Sequence, residues 1–305
     1  MPDPAAHVAT ACGKIILLGE HAVVHGETAI ASSIGCSAEA FAQFADHTRL
    51  RLSDDSGSWV AEQGSELDQA FQALLQVLHA TRPVALDARI YIPTRAGLGS
   101  SAALGVAAAR SVASLLGLHP DAVRDVDAAT AWERVFHGNP SGIDVAVAAR
   151  GGSIAYCRRH GARPIPMTAP LMLCIVQAGP RASTRSMVEA ASSFLAAHAA
   201  QGAEILAAIR EAVAAGTAAL QTGDTNALGK AMNDNQRALR QWGLSTSVID
   251  MLCADALRAG ALGAKLTGAG GGGSVICLAP GRESHVLDAW RSRGFVGRTI
   301  RVGAG

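Results

Sequence analysis

The run Pro93-Thr94-Arg95-Ala96-Gly97-Leu98-Gly99-Ser100-Ser101-Ala102-Ala103 sets two glycines and two serines at the head of a long Ala/Leu/Val segment. Without a Cβ, Gly97 and Gly99 reach positive φ and let backbone approach an anion closely. Ser100 and Ser101 then fall in the first turn of a helix, where unpaired N–H groups and the positive dipole end favour phosphate. The loop is not a P-loop, because no lysine follows the last glycine; any cation for the phosphates must come from elsewhere in the chain. Gly-x-Gly-x-x-Gly also fails, since no glycine stands three residues after Gly99. Alone, the run leaves two readings open: a phosphate cradle, or a plain glycine turn capping a buried helix.

Three other islands carry residue types suited to chemistry. The first, Ala11–Gly26, places Lys14 inside an apolar run and continues as Gly19-Glu20-His21-Ala22-Val23-Val24-His25-Gly26. The second, Glu133–Asp144, reads Glu-Arg-Val-Phe-His-Gly-Asn-Pro-Ser-Gly-Ile-Asp. The third, Ala264–Gly273, reads Ala-Lys-Leu-Thr-Gly-Ala-Gly-Gly-Gly-Gly. A lysine in an apolar strand is unusual for a surface residue, and Gly268–Gly273 is longer than a hairpin needs. Taken singly, Glu133 also reads as a solvated helix face and Asp144 as a helix cap. One of His21 and His25 reads as structural, and His137 has no functional reading.

These residues need a large scaffold. A chain of 305 residues buries a sizeable core and forms two domains or one large one. A formal net charge of +1 with no Lys/Arg run excludes the electrostatic footprint of a nucleic-acid binder. Cys12, Cys36, Cys157, Cys174, Cys253 and Cys277 are scattered without a Cys-x-x-Cys pair, which reads as reduced thiols of a cytosolic protein. No signal peptide is apparent and no apolar run reaches about 18 residues, so a soluble, cytoplasmic chain with no membrane partner is expected.

Hydrophobic spacing predicts strands over Val8–Ala11, Ile15–Leu18, Ala22–Val24 and Thr28–Ile34, with a glycine turn at His25-Gly26. Further strands are expected around Phe41–Phe44, Arg49–Leu52, Leu86–Ile92, Ser153–Tyr156 and Leu171–Val176. Helices are expected over Leu67–Ala80, over Ala102–Leu116, and from an Asp121 cap toward Phe136, broken by His137-Gly138-Asn139-Pro140. Ser141 is placed to cap a short helix. Thr184–Gln221 reads as Ala-rich helix with a break near Gln201-Gly202, followed by helices over Asn226–Arg240 and Ser247–Ala259. Leu262–Thr267 and Ser274–Leu278 read as strands, and a strand–helix–strand set over Glu283–Arg301 closes the chain. Without a strict βαβ rhythm, the fold class is α+β, divided into domains 1–170 and 171–305.

The four islands, in this order, resemble the GHMP small-molecule kinase superfamily, and the runs at 19–26 and 136–144 resemble its mevalonate kinases in particular. The motifs cover about 50 residues but span the chain from residue 11 to 273. The resemblance implies an S5-like N-terminal domain, a ferredoxin-like C-terminal domain and an active site between them. It implies ATP-dependent phosphorylation of (R)-mevalonate to (R)-5-phosphomevalonate, a step of isoprenoid biosynthesis. Residue by residue, Arg95, Ala96, Gly97, Leu98, Gly99, Ser100, Ser101 and Ala102 would cover the ATP phosphates. Ser101 and Glu133 would hold Mg²⁺. Asp144 would sit beside the acceptor hydroxyl with Lys14 next to it. Glu20 and His21 would contact the acceptor, with Thr184 near the transferred phosphate. Thr267, Gly268, Ala269, Gly270 and Gly271 would close on the nucleotide.

Phosphoryl transfer needs such types: fixed donors and Mg²⁺ to neutralise charge, and a group that orients the nucleophile. A Ser hydroxyl with a Glu carboxylate suffices for Mg²⁺, which keeps most of its waters. Beside Lys14, Asp144 is an anion but a weak base, so two roles stay open: proton acceptor, or positioner while Lys14 stabilises the developing alkoxide. The acceptor's carboxylate calls for cations, with His21 and the more distant Arg158 as candidates. Three positions depart from the family pattern: Cys12 where proline is usual, Arg95 for a glycine, and Val145 for an asparagine. Another GHMP kinase acting on phosphomevalonate, a sugar or homoserine, or a non-catalytic relative, is the alternative; a homodimer is left open.

Overall fold

The computed structural model describes residues 7–92, 97–138, 140–180 and 182–303. It separates into two compact units, Met1–Lys14 with Gly35–Gly151, and Ile15–Ile34 with Gly152–Gly305. Strands β1 (Val8–Leu18) and β2 (Ala29–Phe44) supply residues to both units. The units therefore differ from a cut in sequence order at 170/171. The reason is pairing: β2 pairs with β5 (Val84–Ile90) over residues 38–44, and with β6 (Ser153–Cys157) over residues 29–32.

In the first unit, β3 (Arg49–Asp54) runs parallel to β5 and antiparallel to β4 (Gly57–Val60). Leu50 and Leu52 point inward and alternate with the more exposed Arg49 and Arg51, the period-2 pattern of a half-buried strand. Helix α1 (Glu66–Val77) starts at Ser65, whose side chain accepts from the Asp68 N–H, and it buries Phe71, Leu74 and Leu75. Helix α2 (Ser100–Leu115) is buried along most of its length, as its Ala/Val/Leu composition requires. Gly105 lets it touch α3 (Ala122–His137), because a Cβ there would lie 2.9 Å from Trp132 Cδ1. Asp121 caps α3 by accepting from the N–H groups of Val123 and Arg124, and Gly138 at φ +65° ends it. Gly142 at φ +87°, rather than Ser141, stands at the N-cap of α4 (Ile143–Arg150).

The second unit contains β6, β7 (Gly161–Pro164) and a four-stranded antiparallel sheet. Its strands are β8 (Leu171–Gly179), β9 (Gly263–Thr267), β10 (Gly273–Leu278) and β11 (Gly297–Val302), in the order β11-β8-β10-β9. Between β8 and β9 come α5 (Thr184–Ala197), α6 (Ala199–Thr222), α7 (Thr225–Gln241) and α8 (Ser247–Arg258); α9 (Glu283–Arg291) joins β10 to β11. This is the split βαβ arrangement of a ferredoxin-like domain, so the α+β reading holds.

Four further expectations are corrected. Ala22–Val24 is not a strand: Gly19 and His21 have φ of +91° and +58°, and the chain turns through a 3-10 segment at Ala22–His25 closed by Gly26. The Ala-rich stretch breaks at His198, not at 201–202. Gly202 lies inside α6 because a Cβ there would meet Leu195 Cδ2 at 2.7 Å. The chain closes as helix then strand, since no strand precedes α9 among the described residues after β10. The two short strands foreseen on either side of Cys12-Gly13-Lys14 are one, because β1 continues through Lys14. All six cysteines are free thiols. Among the described residues no helix is long and apolar enough to cross a membrane.

Candidate active site

The first unit brings together the residues expected to handle phosphate. Gly97 and Gly99 both adopt positive φ, +79° and +75°. The loop is fastened to β1 by the Lys14 N–H, which donates to the Leu98 carbonyl at 2.8 Å. A Cβ on Gly99 would lie 2.8 Å from Lys14 Cγ, and one on Gly13 would lie 2.5 Å from Ser37 Oγ and 2.8 Å from Leu98 O. Glycines at 13 and 99 thus permit the loop to lie directly on the strand that carries Lys14. Ser100 and Ser101 open α2, with Ala102 buried behind them. Arg95 and Ala96 lie outside the described residues.

Lys14 is buried, and its Nζ stands 3.1 Å from Asp144 Oδ1, while the Asp144 side chain remains 35% exposed. Asp144 is therefore the reachable member of the pair, set in the first turn of α4. The Ser101 hydroxyl donates to Glu133 Oε1 and accepts from the Trp132 indole N–H at 3.3 Å. His137 Nε2 lies 3.6 Å from Glu133 Oε2. Burial, and then the negative charge of Asp144, push the Glu133 carboxyl up to about 7, against the Ser101 hydrogen bond and Lys14, which act the other way. The Lys14 ammonium is paired with Asp144, Glu133 is held by the Ser101 hydroxyl, and the available donors are hard oxygens. Among the described residues no group of three or more His, Cys, Asp or Glu side chains gathers to hold a metal. The Ser101 hydroxyl and the Glu133 carboxyl are hard oxygen donors side by side, a set that suits a cation taking one or two protein oxygens and keeping its waters, as Mg²⁺ does.

In the second unit, Glu20 is fully buried: one carboxylate oxygen takes the Lys265 ammonium and the other the Asn235 amide at 3.2 Å. Burial pushes the Glu20 carboxyl up and the Lys265 ammonium down, and their mutual attraction only offsets this. His21 is 5% exposed, with its ring 6.0 Å from that of Trp242 and Nε2 2.7 Å from the Ala269 carbonyl. A carbonyl only accepts, so Nε2 carries the proton. His25 also packs on Trp242, and burial lowers its pKa.

The glycine run 268–273 is a packed loop, not a slack hairpin. Gly268, Gly270 and Gly271 have φ of +89°, +72° and +62°. The Gly271 N–H donates to the Leu244 carbonyl, and a Cβ on Gly270 would lie 2.3 Å from that same oxygen. The Thr267 hydroxyl donates to the Ile16 carbonyl at 2.9 Å and accepts from the Ile16 N–H at 3.1 Å, so it fastens β9 to β1. Thr184 is exposed as the first residue of α5, beside its Ser183 cap, and Arg158 is exposed just after β6. Sequence reasoning missed Trp132, Asn235 and Lys265. Lys265 gave the same signal as Lys14, a lysine in an apolar strand, whereas Asn235 is one amide in a polar helix and gave none.

The chain matches the model of the GHMP kinases N terminal domain over residues 66–152 and that of GHMP kinases C terminal over residues 217–296. A mevalonate kinase of Aeropyrum pernix is 35% identical over 298 residues, covering 88% of this chain and 87% of its own. One from Pyrococcus horikoshii is 32% identical, covering 97% and 95%. Among solved structures, L. major mevalonate kinase in complex with R-mevalonate superposes with a TM-score of 0.86 at 26% identity, covering all of both chains.

Proposed function

This chain belongs to the GHMP kinase family, and from that premise we propose that it transfers the γ-phosphoryl group of ATP to (R)-mevalonate, giving (R)-5-phosphomevalonate. The observation that carries the reading is the first unit's cluster: Lys14 on Asp144 at 3.1 Å, Ser101 on Glu133, and a left-handed glycine loop lying on the same strand.

The positive-φ turn at 97–99 and the first turn of α2 offer backbone N–H groups to phosphate oxygens. Arg95 to Ala102 form the phosphate-covering segment, and Thr267 to Gly271 the second nucleotide segment. Ser101 and Glu133 would hold Mg²⁺. When bound, that ion supplies charge neutralisation on the phosphates and replaces the positive charge that the buried Glu133 lacks. Asp144 orients the acceptor hydroxyl, and Lys14 holds Asp144 in place and stabilises negative charge as it develops on that oxygen. His21, with Glu20 behind it, belongs to the acceptor side with Arg158, and Thr184 lies toward the transferred phosphate. The reaction takes place in the cytoplasm as a step of isoprenoid biosynthesis.

A coupled ADP-release assay on the purified chain with ATP and Mg²⁺ tests this against a panel of (R)-mevalonate, phosphomevalonate, galactose and homoserine. Turnover is expected with mevalonate. Turnover confined to phosphomevalonate, a sugar or homoserine would move the chain to another branch of the family, and none with any acceptor would make it non-catalytic.

A further inference from the structure

Glu20 stands between two residues of positive φ. Gly19 has φ +91° and His21 has φ +58°. Glycine takes that conformation freely, but for histidine it costs about 1–3 kcal/mol and persists only where the surroundings over-determine it. The surroundings here are specific. The Gly19 N–H donates to Asn235 Oδ1 at 3.0 Å, the Asn235 amide donates to Glu20 Oε2 at 3.2 Å, and Lys265 holds Glu20 Oε1. Lys265 Nζ donates also to the Leu266 carbonyl at 2.6 Å, so its head is fixed from both sides. The side chains of Glu20 and Lys265 are both 0% exposed.

Stability alone does not account for an ion pair at this depth. Removing two charges from water costs several kcal/mol each, and apolar replacements of similar volume are often as stable or more so. What an apolar pair would not supply is direction. The ammonium, the carboxylate and the amide fix the middle residue of the turn in one orientation, and the next residue is His21. Its ring is held against Trp242 with the Nε2 proton on Ala269, four residues beyond Lys265. The same lysine therefore sets the strand leading into the glycine loop and the turn whose imidazole donates to that loop.

We propose that Lys265 is a positioning residue for the acceptor side of the site: through Glu20 it holds His21 in its positive-φ turn, with the Nε2 proton on the Ala269 carbonyl. This rests on the proposed reading of His21 as part of the acceptor side. In that role Lys265 never meets substrate. It sets how the imidazole is presented, and through Ala269 it ties the acceptor turn to the glycine loop.

The test uses the full-length chain with ¹⁵N-labelled histidine, wild type against Glu20→Gln/Lys265→Met, with the His21 resonances assigned by their loss in His21→Gln. The double variant removes both buried charges together and so avoids stranding one of them. Three readouts are taken: thermal midpoint, kcat and KM for mevalonate, and the His21 Nε2–H signature recorded without substrate. The expected result is a midpoint near that of wild type, a fall in kcat/KM for mevalonate of at least tenfold, and loss of the His21 signature. Wild-type kinetics with an unchanged His21 signature in the folded double variant would overturn the proposal. So would a drop in midpoint and activity with the His21 signature intact, because the pair would then serve stability alone. If the double variant does not fold, Glu20→Gln/Lys265→Gln carries the same readouts, since it also removes both charges while leaving a polar partner for Asn235 and for the Leu266 carbonyl. An acceptor other than mevalonate would sink the functional reading, yet the substrate-free His21 signature would still decide the clamp.

Discussion

Replacing Gly99 by alanine adds one methyl group at the point where the phosphate loop lies on β1. Two costs arise there, and a second glycine of the same stretch separates them. Gly117, just past the C-terminal end of α2, has φ +70° with nothing within 4 Å of a Cβ, whereas Gly99 has φ +75° with Lys14 Cγ at 2.8 Å. Both substitutions incur the left-handed penalty of about 1–2 kcal/mol. Only Gly99→Ala adds a collision, worth about 1–3 kcal/mol when a packed neighbour must yield. The stability losses should therefore be about 1–2 kcal/mol for Gly117→Ala and about 2–5 kcal/mol for Gly99→Ala, at a few degrees of melting temperature per kcal/mol. To reach ordinary contact at 3.4 Å, the Lys14 stem must retreat by about 0.6 Å. Its ammonium is the partner of Asp144 at 3.1 Å. Misplacing a catalytic group by about 1 Å costs roughly a hundredfold in rate, so kcat should fall between roughly tenfold and a hundredfold for Gly99→Ala and stay unchanged for Gly117→Ala. Steady-state ADP release at saturating substrates and thermal melting read the two effects separately. If Gly99→Ala matched Gly117→Ala in both, the loop would not press on Lys14 and the reasoning would fail.

Other substitutions probe the remaining parts. Glu133→Ala should raise the Mg²⁺ concentration needed for half-maximal rate by about an order of magnitude; an unaltered Mg²⁺ titration removes Glu133 from that role. In EDTA, the wild-type Glu133 carboxyl, raised from 4.5 to about 7, contributes stability that is full below pH 4.5 and lost as pH rises through 7. Glu133→Gln should then be more stable than wild type at pH 8 by on the order of 3 kcal/mol, at about 1.4 kcal/mol per tenfold. Urea titrations should show that gap closing toward pH 4.5, and a gap independent of pH would contradict the burial argument. Gly229→Ala places a Cβ 2.7 Å from the backbone carbonyl of Leu262, and backbone does not yield as a side-chain tip does. It should lower stability by about 2 kcal/mol or more despite the roughly 1 kcal/mol gain in helix propensity; a raised melting temperature would refute this.

The sequence made the phosphate side legible because its chemistry is local. Glycines at 97 and 99 and the serines at 100 and 101 mark loop and helix start by residue type, and Asp121 and Gly138 do the same for the ends of α3. Lys14 was visible as a charge where the strand pattern wanted an apolar residue. Ala22–Val24 misled because valines favour strands, while the turn is decided by Gly19 and His21, and a histidine at positive φ leaves no compositional trace. The break in the Ala-rich helix was misplaced because Gly202 suggested it, whereas that glycine makes room for Leu195. Lys265 carried the same local signal as Lys14, but its role, like that of Asn235, is set by a partner more than 200 residues away, at Glu20. Pairing at that distance depends on the packed fold and on nothing in the neighbouring sequence.

The most direct test of the central claim is turnover of (R)-mevalonate by Asp144→Ala, followed as ADP release with ATP and Mg²⁺. Asp144 is the exposed member of the Lys14 pair and lies beside the Ser101–Glu133 bond. If this cluster carries phosphoryl transfer, kcat should fall by about a thousandfold or more, with the thermal midpoint and mevalonate binding retained. Turnover equal to that of wild type would contradict the account.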